Sequence, residues 1–369
     1  MTARPGLALL ATAVVAVGGL GAAATATAAP AGPPSPAVSF FDGPASPEDL
    51  VTLPGTDTVL ASGLAADPLS DSSVGHLYAI DSRTREATEI WPDSTWGIDH
   101  DRSLYGDCPG APDPSLASPH GIAAERGEGG TFDVYVVNHG GREAIEVFTL
   151  DPRADSLTWR GCVEMPSGTF ANGVAPLPQG DGLVATDFFD PTLSDPFSQI
   201  FSDTATGSLQ RWEPGTGWST VPGSSTFGPN GVVVSQDGSS AYVAEWGRNR
   251  IHRIPLEGSR PGTTRAVADV DLMPDNLRWS RSGELLVTGQ DFTVADVQAC
   301  QRDDLANCPT GLDVYAMDPR TMDVRTVWSG DPAGFRAPTV ATQVGGELWV
   351  GAVKGSRIGV VAPFAGRSR

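Results

Sequence analysis

One pattern recurs along this sequence: an amide or carboxylate residue stands directly before a short apolar run. Asn172-Gly173 precedes one such run, Asn230-Gly231 precedes another, and Asp275-Asn276 takes the same place before a third. Asn-Gly is a common hairpin turn, but no apolar run lies immediately upstream of Asn230 to act as a hairpin partner. These polar residues therefore head strands, and they do so from one repeat to the next.

The repeats are about 45 to 60 residues long, and each holds about four apolar runs. Runs such as HLYAID and ELWVGAV alternate with Gly, Pro, Asp and Ser, and the 44 Gly and 31 Pro disfavour long helices. This pattern predicts an all-β protein, a six-bladed β-propeller, because a β-sandwich would not explain repeats of this length. The predicted strand heads lie near Glu48, His120, Asn172, Asn230, Asp275 and Pro338.

Two further segments fit this fold. AVSFF, residues 37–41, is expected to join the last blade as a strand and to close the ring, which removes an exposed sheet edge. The long interval between Glu48 and His120 is expected to contain a loop insertion, PDSTWGIDHDRSLYGDCPGAPDPSLA.

The amino terminus is typical of an export signal. Arg4 is followed by an apolar segment from about Leu7 and by small residues at 26–28, which predicts a secretory signal peptide over residues 1–28. A membrane anchor is disfavoured because the apolar run is short and contains glycines. Residues 29–36, APAGPPSP, predict a disordered leader, and residues 37–369 are expected to form a single β-propeller domain. The protein is expected to be extracellular.

The charge balance limits the partners. The sequence has 44 acidic residues against 24 Lys and Arg, a net charge of −20. Such a charge repels nucleic acid and anionic membrane surfaces and attracts divalent cations. We expect neither nucleic acid nor, after signal cleavage, a membrane as partner, and we expect a monomer that acts on a small molecule.

Four cysteines suit an oxidising compartment and allow three pairings. The favoured pairing joins Cys300 to Cys308 as a local clip and leaves Cys108 with Cys162. A metal site is disfavoured because there is no Cys-x-x-Cys pair.

A propeller brings the polar strand heads together. The innermost strand of each blade runs along the central axis, so residues that head these strands meet at one end of the channel. Amide and carboxylate oxygens without thiols suit a hard cation, above all Ca²⁺, although another divalent cation fits the same donors. The predicted ligands are Glu48, Asn172, Asn230, Asp275 and Asn276.

Several segments resemble a known superfamily, the calcium-dependent propeller hydrolases that include paraoxonases, gluconolactonase and regucalcin. The segments are SPEDLVTLPGTDTVLASG, SPHGIAAE, VYVVNHGGREAIEVFTL, FANGV, FGPNGV and MPDNLRW. The resemblance implies that the five predicted ligands hold a catalytic calcium, and Glu48, Asn230 and Asp275 also match the metal triad of the gluconolactonase branch. His120 and His139 match the histidine dyad of the paraoxonase branch.

The resemblance also implies a second, structural calcium. Asp49 and the main-chain carbonyl of Ile122 match two of its ligands, but Gly173 stands where paraoxonases have an Asp. The disulfide that links the two ends of paraoxonases has no counterpart, because no Cys lies near either end. These departures indicate a distant relative.

The function that this resemblance implies is a secreted calcium-dependent hydrolase of lactones or related esters, including aryl esters. A bound calcium would polarise the carbonyl, and His120 would take a proton from the attacking water with His139 orienting it. Asp275 is the alternative base. Trp96, Trp246 and Trp279 are candidates for the pocket wall. Two other functions stay open: a secreted propeller that binds a ligand without catalysis, and a metal-free propeller similar to strictosidine synthase.

Overall fold

The computed structural model describes residues 36–180, 182–256, 266–301, 308–332 and 334–364. The described residues from Pro36 onward form one compact unit. The predicted signal peptide, residues 1–28, and the leader up to residue 35 lie outside the described residues. Both therefore stay predictions.

The predicted fold class, an all-β six-bladed propeller, is confirmed. Six sheets have their strands in sequence order from one edge to the other, apart from the two additions given below. Blade 1 has β2 (Pro47–Thr52), β3 (Thr58–Gly63), β4 (His76–Asp81) and β5 (Ala87–Trp91). Blade 2 has β6 (Gly97–Ile98), β7 (Pro119–Arg126), β8 (Phe132–Asn138), β9 (Ala144–Asp151) and β10 (Ser156–Glu164). Blade 3 has β11 (Ala171–Pro176), β12 (Leu183–Asp187), β13 (Ser208–Glu213) and β14 (Gly217–Thr220).

The other three blades repeat the arrangement. Blade 4 has β15 (Pro229–Val234), β16 (Ser240–Glu245), β17 (Arg250–Pro255) and β18 (Ala266–Asp269). Blade 5 has β19 (Met273–Trp279), β20 (Leu285–Gln290), β21 (Leu312–Met317) and β22 (Val324–Gly330). Blade 6 has β23 (Pro338–Val344), β24 (Glu347–Ala352), β25 (Arg357–Ala362) and β1 (Ala37–Asp42).

Helices are few and short. The α helices are α1 (Pro196–Ile200) and α2 (Val294–Gln301), and 3-10 turns cover Pro114–Leu116, Glu128–Gly130, Pro178–Gly180 and Trp246–Arg248. In the part of the chain that the structure describes, no helix has the length and apolar character needed to cross a membrane.

The ring closes through its first strand, as predicted. β1 pairs antiparallel with β25 in a continuous register from Ala37↔Ala362 to Asp42↔Arg357. The last blade is thus completed by residues from the start of the domain, and the first and last strands of the described domain lie in one sheet.

The insertion and both disulfides agree with the sequence prediction. β6, inside the predicted insertion, pairs in parallel with β10 at the outer edge of blade 2. The Cys108–Cys162 disulfide fixes the insertion to the same strand, across a Cα–Cα distance of 5.3 Å. Cys300 and Cys308 form the second disulfide, at 4.3 Å. The predicted pairing is confirmed.

The core is divided among the blade interfaces. Six of the buried apolar clusters each join two neighbouring blades, including the pair formed by blades 6 and 1. Between blades 1 and 2, for example, Trp91 packs against Phe148 with ring centroids 5.6 Å apart. Full burial of a large apolar side chain stabilises the fold by about 1.5–3 kcal/mol. Each interface therefore fixes one blade on the next, and together they fix the inner strands around the axis.

The six inner strands share one irregularity. β2, β7, β11, β15, β19 and β23 each shift register against their neighbour within the first few residues. Bulges of this kind re-aim side chains. Five of these strands also have a proline at or next to their first residue, a position where no ladder hydrogen bond is needed. The bulge marks the same point in every blade, and the proline marks it in five of the six.

Candidate metal centre

Each inner strand contributes one polar residue to a single cavity of about 550 Å³ at the end of the channel. These residues lie at the second or third position of their strands, where the bulges occur. They come from all six blades and are Glu48, His120, Asn172, Asn230, Asp275 and Thr339. The structure therefore brings the predicted strand heads together, as the propeller axis requires, and adds Thr339 from the sixth blade.

The glycines of the two Asn-Gly pairs allow neighbouring inner strands to approach closely. A Cβ on Gly231 would lie 2.6 Å from the carbonyl oxygen of Asp275, and one on Gly173 would lie 3.0 Å from that of Asn230. Contacts this short exclude any side chain. The Asn-Gly pairs are strand heads and not hairpin turns, in agreement with the sequence pattern.

Four buried oxygens of this cavity have no hydrogen-bond partner: Glu48 Oε2, Asn172 Oδ1, Asn230 Oδ1 and Asp275 Oδ1. We call these four residues the oxygen ring. Elsewhere in the described residues, the buried side-chain atoms without a hydrogen bond are nitrogens and hydroxyl groups. An unsatisfied buried acceptor typically lowers the stability of the fold by about 1–3 kcal/mol. Four of them in one place therefore indicate that a ligand supplies the missing interactions. Carboxylate and amide oxygens in this number fit Ca²⁺.

The two carboxylates of the oxygen ring are each held through one oxygen and leave the other free. Asn276 donates its Nδ2 hydrogen to Glu48 Oε1 at 2.7 Å. Gln290 donates to Asp275 Oδ2 at 2.8 Å and is itself fixed by Trp246, whose Nε1 donates to the Gln290 side chain at 2.7 Å. The free oxygens are therefore oriented before any ligand arrives. The sequence predicts Asn276 as a further ligand, whereas its nitrogen here supports Glu48.

The electrostatics of the oxygen ring also favour a cation. Burial, reinforced by the nearby Asp275 and Asp49, raises the pKa of Glu48 well above its usual value. Burial likewise raises the pKa of Asp275 to about 7, against the lowering effect of its bond from Gln290. Both carboxylates are difficult to ionise without a compensating positive charge, and a divalent cation supplies one.

The two predicted histidines lie beside the oxygen ring. His120 Nδ1 is 2.8 Å from His139 Nε2, and His120 Nε2 lies 3.8 Å from Glu48 Oε1. Burial and the neighbouring His139 lower the pKa of His120 well below its usual value, so its imidazole is neutral near pH 7. His139 lies behind it and stacks on Phe170, with ring centroids 4.0 Å apart. The dyad is thus assembled, with His120 in the cavity lining.

An internal cation, the Arg278 guanidinium, contacts both residues that are predicted to hold the second calcium. Arg278, in β19, forms an ion pair with Asp49 and donates to the carbonyl oxygen of Ile122 at 2.9 Å, so its guanidinium contacts both predicted ligands. It also donates to the carbonyl oxygens of Leu50 at 2.8 Å and Leu277 at 2.7 Å. We call this group of five residues the arginine layer. The second calcium at Asp49 and Ile122 stays a prediction, and the fixed positive charge of Arg278 already contacts both predicted ligands.

The wall of the cavity is mainly aromatic. Trp246 lines it, as the sequence predicts, whereas Trp96 and Trp279 do not: Trp96 packs on Phe148 in blade 2, and Trp279 packs on Tyr242. Lys354, the only lysine in the sequence, also lines the cavity. The remaining aromatic lining residues are Phe170, Phe188, Phe189, Phe197 and Phe292.

Sequence reasoning missed several residues that shape the site. Thr339 could have been found from the sequence. It directly follows the proline that begins the sixth inner strand, as Glu48 and His120 follow the prolines that begin the first and second. Gln290 and Arg278 lie within strands, and their hydrogen bonds reach residues distant in sequence, so no local motif predicts them. Glu143 lies two residues beyond the Gly-Gly that follows His139, and it accepts a hydrogen bond from that histidine.

Comparison with known proteins gives the same fold. No protein-family model matches the sequence. A luciferin-regenerating enzyme superposes with a TM-score of 0.55 at 12% identity, over 89% of this chain and 95% of that chain. Regucalcin from Agrobacterium tumefaciens str. C58, described as a calcium-binding protein, superposes with a TM-score of 0.52 at 13% identity, over 88% and 94%. The chain thus shares its six-bladed fold with these two propellers.

Curated sequences give partial matches to another group of propellers. Strictosidine synthase-like 13 of Arabidopsis thaliana is 31% identical over 91 residues, 25% of this chain and 23% of that protein. Strictosidine synthase-like 12 of the same plant is 27% identical over 162 residues, 44% of this chain and 43% of that protein. The chain spans less than half the length of these curated relatives.

Proposed function

We propose that this protein is a secreted, calcium-dependent hydrolase of lactones or related esters. The observation that carries the proposal is the oxygen ring, four buried oxygens without partners, next to a neutral histidine. A binding site for a neutral ligand alone would not require such a cluster of unsatisfied acceptors. The two disulfides support export, because such bonds persist in oxidising compartments.

Calcium, when bound, supplies a Lewis acid that polarises the substrate carbonyl and stabilises the negative charge that develops on its oxygen. Glu48, Asn172, Asn230 and Asp275 would hold it. His120 is the base: its Nε2 faces the oxygen ring and takes one proton from the attacking water. The same proton is then available to the leaving alkoxide. His139 holds the imidazole of His120 in place.

The cavity wall supports a substrate with an apolar body. Six aromatic side chains line the cavity, including Trp246, and an aromatic or aliphatic group would pack against them. The test is a panel of lactones and aryl esters that contrasts apolar members with sugar lactones. We expect hydrolysis of apolar members and complete loss of activity with a chelator.

Variants assign the roles. Asn230→Ala and Asp275→Ala are expected to abolish activity, since each removes a calcium ligand. His120→Gln is expected to bind calcium but to lose about 10²–10⁴-fold in rate, the usual contribution of a general base. If His120→Gln is as fast as wild type while Asp275→Asn is inactive with calcium bound, Asp275 is the base. If calcium binds but no substrate is turned over, the protein is a metal-dependent binding module.

A second candidate comes from the partial sequence matches to the strictosidine synthase-like proteins. It is a propeller that acts without a metal. This candidate predicts that calcium and chelator leave the melting temperature unchanged, and it leaves the four free oxygens without a role.

A further inference from the structure

Three side chains form a continuous hydrogen-bonded line beside the oxygen ring. His120 Nδ1 lies 2.8 Å from His139 Nε2, and His139 Nδ1 lies 2.9 Å from Glu143 Oε2. The side chains of His120 and His139 are 9% and 2% exposed, and that of Glu143 is 22% exposed. The line therefore runs from the cavity towards the protein surface. We call these three residues the histidine line.

The carboxylate at the end of the histidine line determines where the hydrogens lie. A carboxylate only accepts hydrogen bonds, so the hydrogen between Glu143 and His139 is on Nδ1 of His139. In a neutral imidazole the other nitrogen then accepts, so His139 Nε2 receives the hydrogen from Nδ1 of His120. The same rule leaves a lone pair on His120 Nε2, the atom that faces the oxygen ring.

Contacts at both ends of the line agree with this direction. The backbone N–H of Ala171 donates to Glu143 Oε1 at 2.7 Å, which holds this carboxylate as an acceptor. At the other end, Asn172 Nδ2 lies 3.5 Å from His120 Nε2, so an amide donor faces the predicted lone pair. The same orientation of Asn172 turns its Oδ1 to the free position in the oxygen ring.

We propose that Glu143 is a positioning residue that fixes the tautomers of both histidines and thereby leaves Nε2 of His120 as the base. The consequence for catalysis rests on the proposed hydrolase function, whereas the tautomers follow from the hydrogen bonds alone. Glu143 also stabilises the positive charge that forms when His120 takes the proton from water, and that charge disappears when the proton passes to the leaving group.

Glu143→Gln is expected to reverse the direction of the hydrogen bonds along the histidine line while the side chains keep their positions. Glutamine has one acceptor oxygen, and the N–H of Ala171 holds it at the position of Oε1. The amide nitrogen then takes the position of Oε2, which lies nearer to His139 Nδ1 (2.9 Å) than Oε1 does (3.1 Å). His139 then carries its hydrogen on Nε2, His120 accepts at Nδ1, and the hydrogen of His120 moves to Nε2. The base is blocked although every heavy atom keeps its place.

The matched control is Glu89→Gln. Glu89 lies beside a histidine, with His76 Nδ1 3.1 Å from its Oε2, and accepts from the backbone N–H of Asp93 at 2.8 Å, so like Glu143 it adjoins an imidazole and a main-chain donor. The Glu89 side chain is similarly exposed to that of Glu143, at 26% against 22%, although His76, at 27%, is more exposed than His139, and neither Glu89 nor His76 lines the cavity. This variant reports what the loss of a histidine-bound carboxylate does elsewhere in the protein.

The experiment is imidazole ¹⁵N NMR on chelator-treated protein with labelled histidine, which has only five histidines to assign. His120→Gln and His139→Gln identify the two relevant signals. We expect both histidines as Nδ1–H tautomers in wild type and in Glu89→Gln, and both as Nε2–H tautomers in Glu143→Gln. An Nε2–H tautomer of His120 in wild type would overturn the proposal, and this result does not depend on whether the variant folds.

Activity supplies the second readout. Glu143→Gln is expected to reduce kcat by about 10²-fold or more, with KM and calcium affinity unchanged, and Glu89→Gln to match wild type. If Glu143→Gln retains wild-type kcat, the proposal is wrong. If the tautomers are as expected but no ester or lactone is hydrolysed by wild type, the hydrolase function fails while the assignment of Glu143 stands.

Discussion

The oxygen ring and the arginine layer lie next to each other along the same inner strands, and the sequence predicts calcium at both. In the oxygen ring, four buried oxygens have no partner. In the arginine layer, Asp49 accepts from the backbone N–H groups of Leu50 at 2.8 Å and Ile122 at 2.9 Å and pairs with Arg278. Both places contain buried oxygens that could bind a cation. In the arginine layer the protein supplies the positive charge itself through Arg278, whereas in the oxygen ring it supplies none.

The pKa values follow the same division. Burial raises the pKa of Asp49, but the Arg278 guanidinium and two backbone hydrogen bonds act against that rise. For Glu48, the nearby carboxylates of Asp275 and Asp49 raise the pKa further, in the same direction as burial. A buried carboxylate with a fixed cationic partner costs less to ionise than one without a partner, so an added cation has more to stabilise in the oxygen ring than in the arginine layer.

The largest expected effect comes from the loss of the internal cation. Arg278→Met leaves Asp49 buried without its ion partner, and we expect the free energy of unfolding to fall by about 3–5 kcal/mol. The control Arg250→Met breaks the exposed pair with Asp269, 2.9 Å apart, and should change stability by less than about 1 kcal/mol. Chemical denaturation measures both. Equal stability of the two variants would contradict the role of the arginine layer.

Next in size is the stabilisation by calcium. At a free concentration of about 100 times Kd, a ligand stabilises the native state by about 2.7 kcal/mol, so calcium should raise the melting temperature of wild type but not of Asn230→Ala. The control is Asn138→Ala, since Asn138 is buried with both side-chain bonds made, at 2.8 and 3.1 Å. It should lose stability yet keep the response to calcium. A calcium response in Asn230→Ala would exclude Asn230 as a ligand.

A smaller effect is expected from pH. Because the folded-state pKa of Asp275 is raised to about 7, above its unfolded value, its contribution to stability is present below about pH 4 and is lost as the pH rises through 7. In chelator, wild type should therefore lose stability relative to Asp275→Asn as the pH rises through this window. Thermal unfolding from pH 4 to 8 tests this. Parallel curves for the two proteins would contradict it.

The smallest effect separates a ligand from a supporting residue. Asn276 donates to Glu48 Oε1, so Asn276→Ala removes an orienting bond and should weaken calcium binding less than about tenfold, or 1.4 kcal/mol. Asn230→Ala should weaken it far more. Calorimetric titration of both variants gives the comparison, and equal losses would support Asn276 as a ligand, as the sequence predicts.

The fold and the members of the oxygen ring could be read from the sequence because each repeat places its polar residue at the same point. Glu48, Asn172, Asn230 and Asp275 follow or adjoin bulges in equivalent strands, so the propeller axis alone brings them together. Arg278 could not be assigned in this way, since its contacts reach three different inner strands. Glu143 lies in a loop, and only the folded backbone turns it to His139.

The most direct test of the account is the number of calcium ions that the protein binds. Chelator-treated protein should be titrated with calcium by isothermal calorimetry at neutral pH, and the metal content of the saturated, desalted protein should be measured. We expect one calcium per chain, held by the oxygen ring, because Arg278 already supplies a positive charge in the arginine layer. Two calcium ions per chain, or none, would contradict it.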